Sequence, residues 1–221
     1  MTKERCVVFS GGCFHPCEYL RKIAAEADYI ICADGGARHA RNLGLIPDLV
    51  LGDFDTLTSD ELAELSALGV ELIRYPADKD YTDTHLALLK ALELGFTEIE
   101  LVAALGGRLD HTLANLMLLA LPQGEKARIR ILDGQHEVFL IKKDGIISGE
   151  CGDTVSLLPF GGEVTGISTS GLHYQVPGGV FTMGMPIGVS NRLSQKEARV
   201  AVGEGLLLVI RIIGERNETA K

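Results

Sequence analysis

The sequence predicts an α/β protein with two parts: a parallel sheet with flanking helices, Rossmann-like, followed by a smaller antiparallel β-sandwich. Two observations favour this fold class. Residues 5–133 alternate short apolar runs with helical patterns, which is typical of strand–helix–strand units joined by right-handed crossovers. After Asp133, glycine and proline become frequent and helical periodicity is lost, which indicates short strands joined by turns. We therefore expect one domain at 1–133 and a second at 134–221.

Helix ends in the first part can be read from capping residues. Thr58 and Glu61 have the spacing of a capping box, and Gly69 is expected to end that helix. A second helix is predicted from Thr82 to Leu94, ending at Gly95. The strand candidates around these helices are CVVF (6–9), YIICA (29–33), DLVL (48–51), VELIRY (70–75), IELVAAL (99–105) and ARIRIL (127–132).

Short apolar runs at turn-like spacing are the main feature of the second part. Such runs predict an antiparallel all-β unit rather than further crossovers. The candidate strands are HEVFLIKK, DTVSLLP, EVTGIST, LHYQV, GVFTM and LLLVIRII.

Composition excludes several classes of protein. A formal net charge of −9 and a pI near 5.2 argue against nucleic-acid or anionic-membrane binding, which needs basic surface. No run approaches 18 apolar residues, and the start MTKERCVVF lacks a signal-peptide pattern, so we expect a cytoplasmic protein. Five widely spread cysteines do not form a disulfide framework. Cys13, His15 and Cys17 could suggest zinc, but loop thiols are the favoured interpretation because a fourth ligand is missing.

Aspartates follow the predicted strands of the first part, mostly beside glycine. They are Asp34, Asp53, Asp55, Asp83 and Asp110. The carboxyl ends of parallel strands lie on one edge of a sheet, so residues distant in sequence meet there. Gathered carboxylates repel each other unless a cation or a basic group offsets them. The pattern therefore predicts a cation-assisted phosphate site, for which Mg²⁺ with a nucleotide polyphosphate is the usual combination.

The GDFD and ADGGA motifs each allow two interpretations. Asp53 and Asp55 are two residues apart, so both carboxylates could reach one cation while Phe54 turns into the core. The alternative is a solvated turn. Asp34 precedes two glycines and a helix start, which suits an anion at a helix N-terminus or a turn that Asp34 caps.

Two basic residues are not explained by helix capping. In DKDYTDTH, either Thr82 or Asp83 could be a plain helix cap, but Lys79 beside them is a good point charge for a polyphosphate. In GGRLDHTLAN, Arg108 follows a glycine turn and could hold a phosphate by its guanidinium fork. His111 could be a general base or an orienting hydrogen-bond partner.

Candidate ligand-binding residues of the second part are Tyr174, Ser190 and Asn191. Tyr174 offers a stacking face in a chain without tryptophan, and the Ser190 hydroxyl and Asn191 amide could recognise a heterocycle edge. The alternative is that they are strand and turn residues without contact to a ligand.

Seven motifs taken in order closely resemble the thiamin pyrophosphokinase family over nearly the whole chain. They are ADGGA, PDLVLGDFD, KDYTDT, GGRLDHTLAN, GDTVSLLP, STSGLHY and VSN. The resemblance implies that MgATP donates a diphosphoryl group to the hydroxyl of thiamin and that AMP is released. It also implies an α/β nucleotide-binding catalytic domain, a β-sandwich domain for thiamin binding and dimerisation, and a homodimer whose sites lie between subunits.

The resemblance also implies site residues. Asp53, Asp55 and Asp83 match the Mg²⁺ ligands, with Asp34 close to the same site and to ATP. The nucleotide positions are Lys79, Thr82, Arg108, Asp110 and Asn115, and Ser190 and Asn191 match the thiamin pocket, for which Tyr174 is the candidate aromatic residue. Phosphoryl-transfer chemistry then assigns charge offset to Lys79 and Arg108, and acceptance of the hydroxyl proton to Asp55 or Asp83.

Two positions depart from the family pattern. Thr56 stands where the family usually has serine after the paired aspartates, which keeps the hydroxyl. His173 and Tyr174 replace a pair that often ends in tryptophan, so a tyrosine ring stands where the family often has an indole.

Three other functions are compatible with parts of the pattern. They are a diphosphokinase for another heterocyclic alcohol such as a pterin, a nucleotide-sugar transferase that uses paired aspartates, and a non-catalytic nucleotide or thiamin sensor. A sensor would be expected to have lost carboxylates or basic residues of the motifs, and this sequence retains them.

Overall fold

The computed structural model describes residues 4–124 and 126–213 and divides the chain into two units, Met1–Gly134 and Gln135–Lys221. The division falls one residue after the boundary that the sequence predicts. Helices occur in the first unit, while the second is built from strands. The prediction of a mixed α/β fold is therefore confirmed.

The described part of the first unit contains a six-stranded sheet in which every neighbouring pair is parallel. The order is β4-β3-β2-β1-β5-β6, so the direction of chain progression reverses between β1 and β5. The central strands are buried on both faces, which explains why they read as continuous apolar runs. The strands are β1 (Arg5–Phe9), β2 (Tyr29–Ala33), β3 (Leu49–Gly52), β4 (Glu71–Arg74), β5 (Glu98–Val102) and β6 (Arg128–Leu132).

Two helices of the first unit begin at the capping residues that the sequence predicts. Thr58 Oγ1 accepts from the backbone N–H of Glu61, and Glu61 in turn accepts from the backbone N–H of Thr58, which forms the predicted capping box. Thr82 caps the fourth helix by accepting from His85 N–H. The helices are α1 (Glu18–Ala25), α2 (Gly36–Asn42), α3 (Ser59–Ala67), α4 (Asp83–Glu93) and α5 (Leu109–Leu118).

The fifth strand is shorter than the sequence indicates. The apolar run 99–105 predicts a strand throughout, but β5 ends at Val102 because Ala103 has a φ of +55°. Left-handed backbone at a residue with a side chain is uncommon and interrupts the regular strand conformation here. The chain instead enters a loop through Gly106 and Gly107, which also have positive φ. This loop leads directly into α5.

The second unit contains seven antiparallel strands among its described residues, in the main order β7-β13-β9-β12-β8. The central strand β9 is 17 residues long and also pairs with β10 and β11. The strands are β7 (His136–Ile141), β8 (Asp144–Ser148), β9 (Thr154–Ser170), β10 (Pro177–Phe181), β11 (Asn191–Arg192), β12 (Glu197–Ala201) and β13 (Glu204–Ile212).

Several details of the second unit differ from the sequence prediction. DTVSLLP and EVTGIST belong to one strand, β9, in which Gly161 and Gly166 take positive φ without ending the strand. LHYQV is not a strand, and it contributes a single bridge between Leu172 and Leu193. The sequence does not predict β8, β11 or β12. β8 has only two large apolar residues, β11 has only two residues, and the buried alanine and valine of β12 alternate with charged residues.

A buried ion cluster lies beside the apolar core of the second unit. Arg211 on β13 donates through Nε and Nη2 to Glu137 on β7 at 2.9 and 2.8 Å. Its Nη1 donates to Asp153, just before β9, at 3.0 Å. All three residues are less than a tenth exposed. The cluster therefore links three strands that are far apart in sequence.

We predict that Asp153→Ala lowers the free energy of unfolding of the second unit by about 3 kcal/mol, because it breaks a buried ion pair from one side. Glu150 N–H would also lose its acceptor. Urea denaturation of the full chain measures the change. Glu163→Ala, which removes an exposed carboxylate of the same unit, should stay within about 0.5 kcal/mol of the parent. Equal stability of both variants would contradict a structural role for the cluster.

Candidate active site

A cleft of about 700 Å³ lies at the carboxyl edge of the parallel sheet, within the first unit. It includes the ends of β1 and β5, where the strand order reverses and where open α/β sheets bind their ligands. The segments that follow β2 and β3 and the start of α4 also contribute. Among the lining residues are Ser10, Asp34, Asp53, Thr82, Asp83 and Arg108.

Three aspartates meet in this cleft. Asp34 follows β2, Asp53 follows β3, and Asp83 is the first residue of α4. Each offers one carboxylate oxygen, and these oxygens all lie within 4.8 Å of one another. Asp34 is buried and has a φ of +44°, an uncommon conformation for a residue with a side chain. The arrangement thus depends on a locally strained backbone, as is frequent at functional sites.

Glycine at position 52 allows two of the carboxylates to approach. A Cβ atom on Gly52 would lie 3.0 Å from Cβ of Asp34 and 3.2 Å from Cγ of Asp83. Both distances are shorter than side chains normally tolerate. Gly52 also has a φ of +151°, which favours glycine. Gly52, the last residue of β3, therefore leaves free the space next to the carboxylates of Asp34 and Asp83.

Lys79 offsets part of the negative charge. Its Nζ lies 3.2 Å from Oδ1 of Asp83 and 3.4 Å from Oδ2 of Asp53, and it donates to the Pro76 carbonyl at 3.0 Å. The Lys79 side chain is only 14 % exposed, so these contacts are poorly screened by water. Burial nevertheless raises the pKa of Asp83, with the neighbouring lysine only partly opposing it. The cluster retains a net negative charge that a cation would stabilise.

Two carboxylate oxygens of the cluster are suited to a metal ion. Oδ1 of Asp34 and Oδ1 of Asp83 are buried; the first accepts no hydrogen bond from any residue that the structure describes, and the second has the Lys79 ammonium as its close polar contact, at 3.2 Å. A buried polar atom without a hydrogen bond is costly, and a ligand can remove that cost. Carboxylate oxygens are the donors that Mg²⁺ prefers. The residues present therefore fit the divalent cation that the sequence predicts.

Asp55 lies beside the cluster rather than within the group of three. Its backbone N–H donates to Oδ1 of Asp53 at 3.1 Å, and its side chain is exposed. The negative charge of Asp53 raises the pKa of Asp55. Between them Phe54 has a φ of +61° and is buried, as expected, with the Arg74 guanidinium 4.8 Å from its ring centre. The group of three thus consists of Asp34, Asp53 and Asp83, whereas the sequence predicts Asp53, Asp55 and Asp83.

Residues at the start of α5 form the opposite wall. Arg108 donates to Asp110 through Nη2 at 2.6 Å, and this pair is exposed. The hydrogen bond from Arg108 holds the pKa of Asp110 at about 2. Asn115 is buried and its Nδ2 donates to the Ala104 carbonyl at 2.8 Å, so this amide fixes the loop after β5. His111 also lines the cleft.

Several cleft residues were missed by the sequence analysis. Ser10 and Thr84 are buried, and their hydroxyl oxygens are 2.6 Å apart. His39 donates through Nε2 to the Gly12 carbonyl at 3.1 Å, and burial lowers its pKa, which favours the neutral ring. A signal for Ser10 exists, since it begins the SGG run directly after β1. Thr56 also lines the cleft, and its hydroxyl donates to Oδ2 of Asp34. The local sequence pattern around Thr56 does not indicate this contact.

Two of the three candidate residues of the second unit, Asn191 and Tyr174, contact each other. Oδ1 of Asn191 accepts from Tyr174 N–H at 3.0 Å, and Nδ2 donates to the Tyr174 carbonyl at 2.6 Å. The buried Asn191 amide therefore holds the backbone of residue 174 in place. Tyr174 itself is 67 % exposed, with its ring in edge-on contact with His173. Ser190 is exposed and has a φ of +61°.

Two family models match the chain. One is described as "Thiamin pyrophosphokinase, catalytic domain" and matches residues 20–131. The other is described as "Thiamin pyrophosphokinase, vitamin B1 binding domain" and matches residues 136–207.

Curated relatives and solved structures agree with the family models. The thiamine pyrophosphokinase of Bacillus subtilis is 30 % identical, with 82 % of this chain and 86 % of the relative covered. Thiamine pyrophosphokinase 1 of Arabidopsis thaliana is 27 % identical, with 82 % and 77 % covered. A crystal structure of the Bacillus subtilis thiamine pyrophosphokinase superposes with a TM-score of 0.85 at 27 % identity, covering 95 % of this chain and 99 % of that one.

We predict that Gly52→Ala weakens divalent-cation binding by at least about tenfold, because the added methyl group pushes Asp34 and Asp83 apart. Titration of the protein with Mn²⁺ measures the effect. Gly69→Ala is the matched control, since Gly69 also has a positive φ but no described atom within 4 Å of the added carbon. Both variants carry backbone strain of about 1 kcal/mol. If both bound Mn²⁺ equally well, close approach across Gly52 would not matter.

Proposed function

Because the chain belongs to the thiamin pyrophosphokinase family, we propose that the carboxylate cleft of its first unit holds MgATP during diphosphoryl transfer. The enzyme transfers a diphosphoryl group from ATP to the hydroxyl of thiamin, giving thiamin diphosphate and AMP. The observation that carries the proposal is the group of three carboxylates beside Lys79, in which the buried Oδ1 of Asp34 accepts no hydrogen bond from the described residues.

Asp34, Asp53 and Asp83 are the proposed ligands of Mg²⁺, and Asp55 lies next to them. When bound, the ion would supply positive charge that offsets the charge developing on the phosphates. The four aspartates come from segments after β2 and β3 and from α4, so the sheet fixes their spacing. Holding the phosphates in line with the attacking hydroxyl is the main contribution expected of a phosphoryl-transfer site.

Lys79 and Arg108 are proposed to offset the charge of the transferring group from two sides. Lys79 is held among the carboxylates, where its ammonium acts as a compact point charge. Arg108 is exposed at the rim and can exchange its contact with Asp110 for a bidentate contact with a phosphate. Thr82 and Asn115 also line the cleft and are proposed to contact the nucleotide, Asn115 through the loop it fixes.

Asp55 is our candidate for accepting the proton of the attacking hydroxyl. A general base needs access to the substrate. Asp55 is exposed and lies next to the three proposed metal ligands. Asp83, the other candidate, is engaged with Lys79 and is better suited to metal binding.

The second unit is proposed to be a β-sandwich that binds thiamin. Its apolar core includes side chains of β7, β9, β12 and β13, as expected for packed sheets. Tyr174 offers an exposed ring for stacking, and Ser190 offers an exposed hydroxyl. Asn191 is proposed to act indirectly, by holding the backbone of Tyr174.

A homodimer with sites shared between subunits is the proposed assembly. Exposed large apolar side chains cluster in a short segment of the second unit, and such patches usually mark contact surfaces. They are Val180, Met183, Met185, Ile187 and Val189. Three apolar residues of α5 at helical spacing are also exposed: Leu109, Leu113 and Met117.

Cytoplasmic localisation remains a proposal. All five cysteines are free thiols, which suits a reducing compartment. In the described residues no helix has the length and apolar character needed to cross a membrane.

We predict that Asp83→Asn lowers kcat for AMP release from ATP, thiamin and Mg²⁺ by at least about a hundredfold, because a charge that holds the metal is lost. Lys79→Ala should raise the KM for ATP more than the KM for thiamin. Asp60→Asn, which removes an exposed carboxylate at the start of α3, is the control and should behave like the parent.

Two results would contradict this assignment. Asp83→Asn with parental turnover at low Mg²⁺ would put the metal elsewhere. Release of ADP in place of AMP, or a strong preference for a pterin alcohol over thiamin, would go against the transfer chemistry itself.

We predict that two inactive variants restore activity when their subunits exchange. Asp83→Asn would be mixed with a Tyr174→Ala/Ser190→Ala double variant. Random heterodimers would each hold one intact shared site, so about a quarter of the parental activity should return. Native mass spectrometry confirms that heterodimers form. Inactive heterodimers would mean that each chain supplies a whole site by itself.

A further inference from the structure

Thr56 and Arg38 connect the buried carboxylate of Asp34 to the contact between α2 and α3. Thr56 Oγ1 donates a hydrogen bond of 2.5 Å to Oδ2 of Asp34. Nη2 of Arg38 donates to the Thr56 carbonyl at 2.7 Å. The same guanidinium makes a two-point contact with the Glu61 carboxylate, at 2.6 and 2.7 Å. A continuous line of hydrogen bonds thus runs from the first turn of α3 to the cation cluster.

The orientation of the buried Asp34 carboxylate depends on this hydrogen bond from Thr56. It is 7 % exposed, and Oδ1 lacks a hydrogen bond within the described structure, so Thr56 supplies the hydroxyl bond that its carboxylate receives at Oδ2. Rotation about the last side-chain bond of aspartate is otherwise broad. A short hydrogen bond to an ionised oxygen is strong and fixes that rotation. With Oδ2 held by Thr56, Oδ1 is the oxygen left for a ligand.

The position of the Thr56 hydroxyl is itself defined. Threonine is branched at Cβ, which restricts its side-chain torsion. Arg38 holds the Thr56 backbone, and the space around Oγ1 is kept by a glycine, since a Cβ on Gly35 would lie 2.8 Å from that atom. The capping box also orients Glu61, because Thr58 N–H donates to Oε2 at 2.8 Å. Each member of the line is therefore held by the one before it.

We propose that Thr56 is a positioning residue of the active site. Its hydroxyl, placed by Arg38, orients the Asp34 carboxylate so that Oδ1 can bind the divalent cation together with Asp53 and Asp83. This inference rests on the proposed assignment of the cation to these three aspartates. The proposed role depends on the hydroxyl of Thr56 and not on its methyl group.

A second ion pair between the same helices provides an internal comparison. Arg41 contacts Glu64 at 2.8 and 2.7 Å in the same two-point manner, one helical turn beyond Arg38 and Glu61. Both pairs join α2 to α3 near the surface, where ion pairs add little stability. Only Arg38 also reaches the Thr56 carbonyl. Equal effects of the two arginines would indicate helix packing alone, whereas an effect limited to Arg38 indicates positioning of the site.

The test measures Mn²⁺ binding to the full chain by calorimetry, without nucleotide, and the Mg²⁺ concentration that gives half-maximal turnover. Thr56→Val keeps the shape but loses the hydroxyl, and should weaken Mn²⁺ binding by about ten- to a hundredfold. Thr56→Ser should recover most of the affinity. Arg38→Gln should weaken binding in the same direction, whereas Arg41→Gln should bind Mn²⁺ like the parent. Thermal unfolding of each variant verifies that it is folded.

Asp34→Asn separates failure of this inference from failure of the proposed site. If Asp34→Asn binds Mn²⁺ like the parent, or if the parent binds none, the assignment of the cation to this cluster is wrong. If Asp34→Asn weakens binding but Thr56→Val does not, the positioning role of Thr56 is overturned while the site stands. If Arg38→Gln and Arg41→Gln weaken binding equally, Arg38 acts only through helix packing.

Discussion

Mutual repulsion among closely spaced carboxylates is the constraint on which the site depends. Bringing Asp34, Asp53 and Asp83 within 4.8 Å of each other is unfavourable unless positive charge is near. Lys79 supplies one such charge from within the chain, and it is held close by burial. The backbone contributes through Gly52, whose missing side chain leaves the space where two of the carboxylates meet. The sheet edge thus stores an electrostatic cost that binding of a cation can release.

The sequence predicts the frame of the first unit well, and part of the site. Capping residues and apolar runs predict the helix ends and most strands because these signals are local. The convergence of Asp53 and Asp83 follows from parallel strands having one carboxyl edge. The sequence places Asp34 among the gathered aspartates but assigns the metal to Asp55 rather than to Asp34, because the close approach of Asp34 depends on left-handed backbone at Asp34 and Phe54. Tertiary packing sets such backbone conformations. The residues around Asp34 are compatible with a turn that Asp34 caps and with a ligand-binding role for Asp34.

The second unit shows where local patterns are less informative. The sequence predicts a ligand contact for the Asn191 amide, and in the structure both ends of that amide bond to the backbone of Tyr174. In the sequence, an asparagine whose amide holds a loop cannot be distinguished from one whose amide contacts a substrate. Whole-chain resemblance was therefore necessary to assign the reaction, whereas the chemistry of the first unit could be argued from aspartates and basic residues alone.

The long strand β9 has a consequence for how the chain folds during synthesis. Its partners β10, β11, β12 and β13 all follow it in the sequence, and β13 begins only at Glu204. A ribosome will therefore expose β9 with open hydrogen-bonding edges until those later segments emerge, whereas the strands of the first unit are complete by Leu132. Pairings between distant segments are also slow to form, since a long loop must close first. The second unit is thus the part of the nascent chain most exposed to misassociation and to assistance by chaperones.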